Sequence, residues 1–261
     1  MGAPDVIRHL AAAAPGYGIG LNAVGATDLT AAVPVQLADG SGQEYEIAVS
    51  AAGERASARE AARARLPSFC PIRHINQDGS FCLNWEAAES LAVLDRGTAE
   101  AWWGALLQYL RLQERARRLR RWPNRREWAH GEAAHHQRKA QVAAAALSVR
   151  FERDLAQGRV AVTRSHAVSA EGRALRLNIG GRRVLSVFDE RGRAATLRQP
   201  CPCGLHHRPL TLRGCGDHSA RFVELTRALR DQEAAERAFW KSWKGKQCCG
   251  TMDGCPLALT A

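Results

Sequence analysis

Hydrophobic positions change period several times along the chain, and each change marks an element. Asp5 to Ala14 reads as a short helix stopped by Pro15 and Gly16. Ala31 to Ala38 and Glu44 to Ser50 read as strands. The second sets Tyr45, Ile47 and Val49 on one face, and the turn Asp39-Gly40-Ser41-Gly42 between the two predicts an antiparallel hairpin. Residues 54 to 65 are charged and alanine-rich and fit either helix or loop. Leu66 to Trp85 has no period, carries Pro67 and Pro71, and reads as a structured loop. Trp103, Leu106, Leu107 and Leu110 then recur at i, i+3, i+4 and i+7. That spacing predicts a helix capped by Thr98 and ended by Pro123. A second alanine-rich helix is expected over Glu132 to Val149.

Beyond Phe151 the period becomes two. Arg159 to Arg164 alternates, and Ala174 to Ile179 and Arg182 to Phe188 flank Gly180-Gly181, a strong hairpin signal. A last amphipathic helix is expected over Ser219 to Trp243, its apolar positions being Phe222, Leu225, Leu229, Phe239, Trp240 and Trp243, with Gly245 as its stop. The expected class is α+β: an antiparallel meander with flanking helices over residues 1–150, then a small β-hairpin and helix domain over 151–261.

The balance of 46% hydrophobic and 24% charged residues in 261 is that of a globular protein and excludes a wholly disordered chain. No apolar run approaches the roughly 20 residues that span a bilayer. Met1 to Gly20 lacks the basic start and long apolar centre of a secretory signal, so the expected setting is the cytoplasm, away from membranes. Net charge is +11, carried almost wholly by arginine, and the many alanines beside it fit a GC-rich bacterial genome. Between Arg111 and Lys139 lie ten basic and three acidic residues. A solvated helix face accounts for such a run, and so does docking on an acidic protein or on phosphates, which keeps nucleic acid as an alternative partner. His130, His135 and His136 are expected at the surface or at caps.

The eight cysteines are unevenly placed. In a reducing compartment such clusters point to metal binding or catalysis rather than disulfides. Cys201-Pro202-Cys203 is a tight thiolate turn, and Cys215 and His218 stand just before a helix. Together they supply the four sulfur and nitrogen donors of a tetrahedral structural zinc, and the arrangement resembles treble-clef or ribbon-like zinc modules. Cys248, Cys249 and Cys255 are further candidate ligands, for a second site with His206 and His207 or as spares. Cys70, in Phe69-Cys70-Pro71, reads as a packed thiol.

Cys82 stands in His74-Ile75-Asn76-Gln77-Asp78-Gly79-Ser80-Phe81-Cys82-Leu83. A turn at Asp78-Gly79 can fold His74 and Asn76 back toward the thiol. This arrangement resembles the active-site loop of ubiquitin-conjugating enzymes, whose signature is His-Pro-Asn, a turn glycine, then the acceptor cysteine followed by leucine. The resemblance spans roughly residues 1 to 145 and rests on about ten of them. It implies a transferase of a bacterial branch, serving conjugation or antiviral defence. Cys82 would accept a ubiquitin-like modifier from an activating enzyme as a thioester and pass it to an amine of a protein target. Asn76 would stabilise the oxyanion, and His74 would serve as a structural hydrogen-bonding residue. Ile75 departs from the motif proline, and the stretch 111–126 is dense in arginine, so the acidic residue that family members use to help deprotonate an attacking lysine is not assigned here. A non-catalytic adaptor with the same fold, or a zinc-containing nucleic-acid-binding protein, are the competing readings.

Overall fold

The computed structural model describes residues 2–62, 65–85, 90–123 and 128–260. By internal packing the chain divides into two units, Met1–Glu127 with Trp243–Ala261, and Trp128–Ser242. The expected boundary lay near residue 150; this grouping puts the alanine-rich helix after Pro123 in the second unit and the last cysteines in the first. The architecture is mixed α+β, with two antiparallel sheets.

The first unit opens with helix α1 (Ala3–Ala13) and a 3-10 turn (Ala14–Tyr17), at the point where Pro15 and Gly16 were expected to stop the helix. Strands β1 (Gly20–Val24), β2 (Asp28–Gln36), β3 (Gly42–Ala52) and β4 (Arg55–Glu60) follow in sequential antiparallel order. The expected hairpin is β2–β3. Alternation sends Leu29, Ala31, Val33 and Val35 of β2 and Tyr45, Ile47 and Val49 of β3 into the core. The charged stretch after Ala52, read as helix or loop, is strand β4, in which alternate residues Ala58 and Glu60 are buried. The Glu60 carboxylate accepts the backbone N–H groups of Arg65 and Leu66, each at 2.9 Å, so this acid is buried with its oxygens satisfied.

Helix α2 (Arg96–Leu119) covers this sheet. Its cap is Asp95 rather than Thr98. Asp95 Oδ1 accepts the Thr98 N–H at 2.8 Å, and Thr98 Oγ1 in return accepts the Asp95 N–H at 2.9 Å, so threonine is the reciprocal partner three residues in. The apolar stripe buries Trp102, Trp103, Leu106 and Leu110, and the Trp103 indole N–H donates to the Leu10 carbonyl of α1 at 2.9 Å. The helix ends before Pro123, at the left-handed residue Arg120.

The second unit has its own core. Helix α3 (Glu132–Leu147) breaks at Ser148, whose hydroxyl caps α4 (Val149–Ala156) by accepting the Phe151 N–H at 3.3 Å. Strands β5 (Val160–Ser169), β6 (Gly172–Ile179), β7 (Arg182–Phe188) and β8 (Arg193–Ala194) form the second sheet. The β6–β7 turn uses Gly180 and Gly181 at φ 55° and 79°, a conformation that glycine adopts without a Cβ penalty. Helix α5 (His218–Ser242) packs on α3. The small side chains Ala140, Ala143 and Ala144 let the two helices approach closely, and Phe151, Leu177, Leu185, Val187 and Phe222 fill the space beneath. Among the described residues no helix is long and apolar enough to cross a membrane.

Candidate functional site

The loop holding Cys82 is a short β-hairpin. Asn76 N–H donates to the Ser80 carbonyl at 2.8 Å, Gly79 N–H to the Asn76 carbonyl at 3.0 Å, and Cys82 N–H to the His74 carbonyl at 2.8 Å. Gly79 takes φ 83°, the left-handed value that its turn requires. Ile75 and Phe81 pair across the hairpin and are both buried, so one face points into the core. By the two-residue period, Asn76, Ser80 and Cys82 share the opposite face. There Asn76 and Cys82 are diagonal neighbours, a relation that puts Cβ atoms about 7–8 Å apart. Both side chains are exposed.

The hairpin is anchored from three sides. Ser80 bridges to Arg59, and the Phe81 N–H donates to the Ala58 carbonyl at 2.8 Å, so the hairpin extends the sheet at β4. From α2, the buried Tyr109 hydroxyl donates to the carbonyls of Arg73 at 3.0 Å and His74 at 3.1 Å, and its ring stacks on Phe81 at 4.8 Å. The Trp122 ring lies 5.1 Å from that of His74. His74 itself is left-handed at φ 53°, a conformation that costs a histidine of order 1 kcal/mol and that these contacts hold in place. The Asp78 carboxylate, accepting from the Ser80 N–H and hydroxyl, is held below the usual aspartate range and stiffens the turn.

Asn76 Nδ2 donates to Ser80 Oγ at 3.0 Å. An amide nitrogen carries two hydrogens, so this bond fixes the side chain while leaving one donor. The Cys82 thiol donates to the Asn84 carbonyl at 3.6 Å. Beside it opens a groove of about 260 Å³ lined by Phe81, Leu83, Leu91 and Trp102, with Ser50, Arg55, Ser57 and Asn84 as polar members. An exposed thiol whose chain neighbours Phe81, Leu83 and Asn84 line a groove, with a fixed amide on the same face, suits acyl transfer to sulfur.

The position of the absent motif proline has a structural use. Ile75 N–H donates to the Cys70 carbonyl at 3.1 Å, and Cys70 N–H donates to the Ile75 carbonyl at 3.1 Å. Proline could not make the first of these bonds.

The Cys201, Cys203, Cys215 and His218 donors form a second constellation, within the second unit. The Cys201 turn is held by its N–H to the Leu210 carbonyl at 2.7 Å and by the Pro200–Thr211 bridge. Cys215 follows a 3-10 turn (Leu212–Gly214), and His218 opens α5. All four ligand atoms lie within 4.8 Å of one another. Cys203 Sγ to Cys215 Sγ is 3.8 Å, Cys201 Sγ to His218 Nδ1 is 3.5 Å, and Cys215 Sγ to His218 Nδ1 is 3.2 Å. A tetrahedral ion with 2.3 Å sulfur and roughly 2.0 Å nitrogen bonds requires about 3.8 Å between sulfurs and about 3.5 Å from sulfur to nitrogen. The set therefore fits a metal ion. Burial pushes the Cys201 thiol up to about 12, and Cys215 shifts the same way.

Cys248, Cys249 and Cys255 are not members of this group. Cys249 lies against Cys70, with sulfurs 3.2 Å apart, and Cys248 and Cys255 are neighbours in the same tail, all within the first unit. The spacing of the last three cysteines carries no sign of this, because the partner is far away in sequence. His206 and His207 are exposed. Of the basic run, Arg117 pairs with Glu114, Arg118 with Asp39 and Arg120 with Asp253, so three of its cations are matched by acids, while Arg125, Arg126 and Glu127 lie outside the described residues. His130 pairs with Glu236 at 2.6 Å and stacks on Phe239 at 4.6 Å, which makes it a packing residue. Sequence reasoning also missed Tyr109 as a support of the hairpin. Its helix was expected, but the apolar stripe read from the sequence did not include it.

Two family models match the chain. Residues 17–124 match the prokaryotic E2 domain, and residues 129–257 match a cysteine-rich domain described as C-terminal to the E2 domain. No curated protein and no solved structure matches it.

Proposed function

We propose that the chain is an E2-like carrier in a bacterial conjugation or antiviral defence system, with Cys82 as its acceptor. The observation that carries the reading is the exposure of Cys82 on an anchored hairpin face shared with Asn76, inside the region similar to prokaryotic E2 domains. Cys82 sulfur attacks the thioester carbonyl that joins a ubiquitin-like modifier to a cysteine of an activating enzyme. The carbon–sulfur bond to the enzyme breaks, and its thiol leaves with the proton. A target amine then attacks the new thioester, an amide forms, and Cys82 is released as the thiol. The free Asn76 N–H donates to the oxygen that becomes negative at each tetrahedral stage, an interaction worth about 2.7–4 kcal/mol where such donors have been removed. The groove lined by Phe81, Leu83, Leu91 and Trp102 receives the extended modifier tail.

In the second unit, Cys201, Cys203, Cys215 and His218 hold a structural zinc. With all four donors supplied by protein, no position stays open for substrate.

Co-expression with the activating enzyme and modifier, followed by non-reducing electrophoresis, tests the carrier role. Wild type should give an adduct lost on adding a thiol reductant. Cys82→Ser should convert it into an ester that the reductant leaves intact. A folded, metal-loaded wild type that forms no adduct with both partners present overturns the proposal.

A further inference from the structure

Arg73 is 1% exposed, and among the described residues no carboxylate pairs with it. Its guanidinium is held by neutral groups: Gln113 Oε1 at 2.7 Å, the Gln113 carbonyl at 3.2 Å and Thr251 Oγ1 at 3.4 Å. A buried cation without a counter-charge is costly. The sulfurs of Cys70 and Cys249 lie beside it, 3.2 Å apart, and Cys249 Sγ is also 3.1 Å from Thr251 Oγ1. With both thiols protonated, Cys249 donates to Cys70; of the two, the half-buried Cys249 is the one that can give its proton to water, after which the Cys70 thiol turns to donate to it, so Cys249 is the group placed to carry the negative charge that Arg73 lacks. The contact with Cys70, with Thr251 and Arg73 behind it, brings Cys249 down to about 5, while the same contact and burial push Cys70 up. Cys249 is half-buried and Cys70 is buried. A thiolate within reach of solvent, with a protonated thiol touching it, is the arrangement of a reactive cysteine and its resolving partner.

We propose that Cys249 and Cys70 form a peroxide-reactive thiol pair that closes reversibly to a disulfide. Cys249 thiolate attacks one oxygen of a hydroperoxide, the O–O bond breaks, and the other oxygen leaves as water or an alcohol after taking a proton. Cys249 is then a sulfenic acid. Cys70 sulfur attacks the Cys249 sulfur, the S–O bond breaks, and the hydroxyl leaves as water with the Cys70 proton. The peroxide is reduced by two electrons, and each sulfur gives up one. Closing from 3.2 Å to the roughly 2.05 Å of a disulfide requires a shift of about 1.2 Å, within the reach of side-chain rotation. The bond would tie the tail (Trp243–Ala261) to the residue whose backbone pairs with Ile75, at the root of the Cys82 hairpin. A dithiol reductant reverses it. This site is independent of the thioester chemistry assigned to Cys82.

The test treats the full-length, zinc-loaded protein with equimolar hydrogen peroxide, blocks remaining thiols by alkylation and maps the peptides by mass spectrometry. The expected result is a single reductant-sensitive link between the Cys70 and Cys249 peptides, with Cys82 still alkylated. Cys70→Ser should leave Cys249 as a sulfenic acid that dimedone traps, and Cys249→Ser should leave Cys70 unoxidised at the same dose. A first disulfide joining Cys249 to Cys248, or Cys248 to Cys255, overturns the proposal. So does oxidation of Cys82 at a dose that leaves Cys70 and Cys249 as thiols.

Discussion

Ile75 occupies the position where the ubiquitin-conjugating signature has proline, and its backbone explains why proline would serve badly here. Its N–H bonds to the Cys70 carbonyl, and its side chain is 1% exposed beneath the hairpin. Ile75→Pro deletes that bond, at about 1 kcal/mol net, because the Cys70 carbonyl keeps the Arg73 N–H at 2.9 Å. It also removes buried apolar volume worth about another 1 kcal/mol. Restoring the motif should therefore destabilise the first unit by about 2 kcal/mol in urea titration. A variant as stable as wild type would mean that the bond contributes nothing. At this scale the sequence was informative about identity and poor about partners. Cys82, Asn76 and His74 were legible as a spaced set, and so was Gly79 as the turn. The Arg73–Gln113 and Cys70–Cys249 contacts were not, because long-range pairing leaves no local period. Arg73 in particular resembles every other arginine of a basic chain until its burial is known.

Elements announced themselves where period and punctuation agreed. The β2–β3 and β6–β7 hairpins carry alternation plus a glycine turn, and α2 and α5 carry apolar residues at helical spacing. Strand β4 was missed because Arg-Ala-Ser-Ala-Arg-Glu holds no β-branched or aromatic residue. It is a strand because β3 offers it a ladder. That miss mattered, since β4 is the edge to which the Cys82 hairpin attaches. Helix α2 was found, but its first turn was misread. Thr98 has the side chain of a cap, yet Asp95 three residues earlier makes the reciprocal box, and the two exchange roles in any reading by residue type alone. Asp95→Ala should cost about 1 kcal/mol, the usual loss when an N-cap oxygen is removed. Denaturant unfolding of the first unit measures it. Since Tyr109 lies in the middle of this helix, well away from the frayed end, the same variant should leave the alkylation rate of Cys82 unchanged.

On the scale of the whole molecule, the two units have separate buried clusters, one running from Val6 to Leu110 and the other from Ala140 to Ala228. Composition marks no boundary between them, because alanine and arginine are spread along the entire chain. Helix α3 therefore looked like a continuation of the first domain, although its alanine face belongs to the second core. Cooperative unfolding follows cores, so calorimetry should resolve two transitions. The donors Cys201, Cys203, Cys215 and His218 all sit in or beside the second cluster, joining a turn to the first residue of α5. Metal binding to that set stabilises only the state in which the four come together, whereas the first unit gains nothing from it. Because Leu177, Leu185, Val187 and Phe222 bury apolar surface without any ion, removing the metal should lower the second transition rather than abolish it. A strong chelator, or Cys215→Ser, should therefore move one transition to lower temperature and leave the other within error of its original value. Equal shifts in both transitions, or in neither, would show that the four-donor cluster is not what holds the second unit.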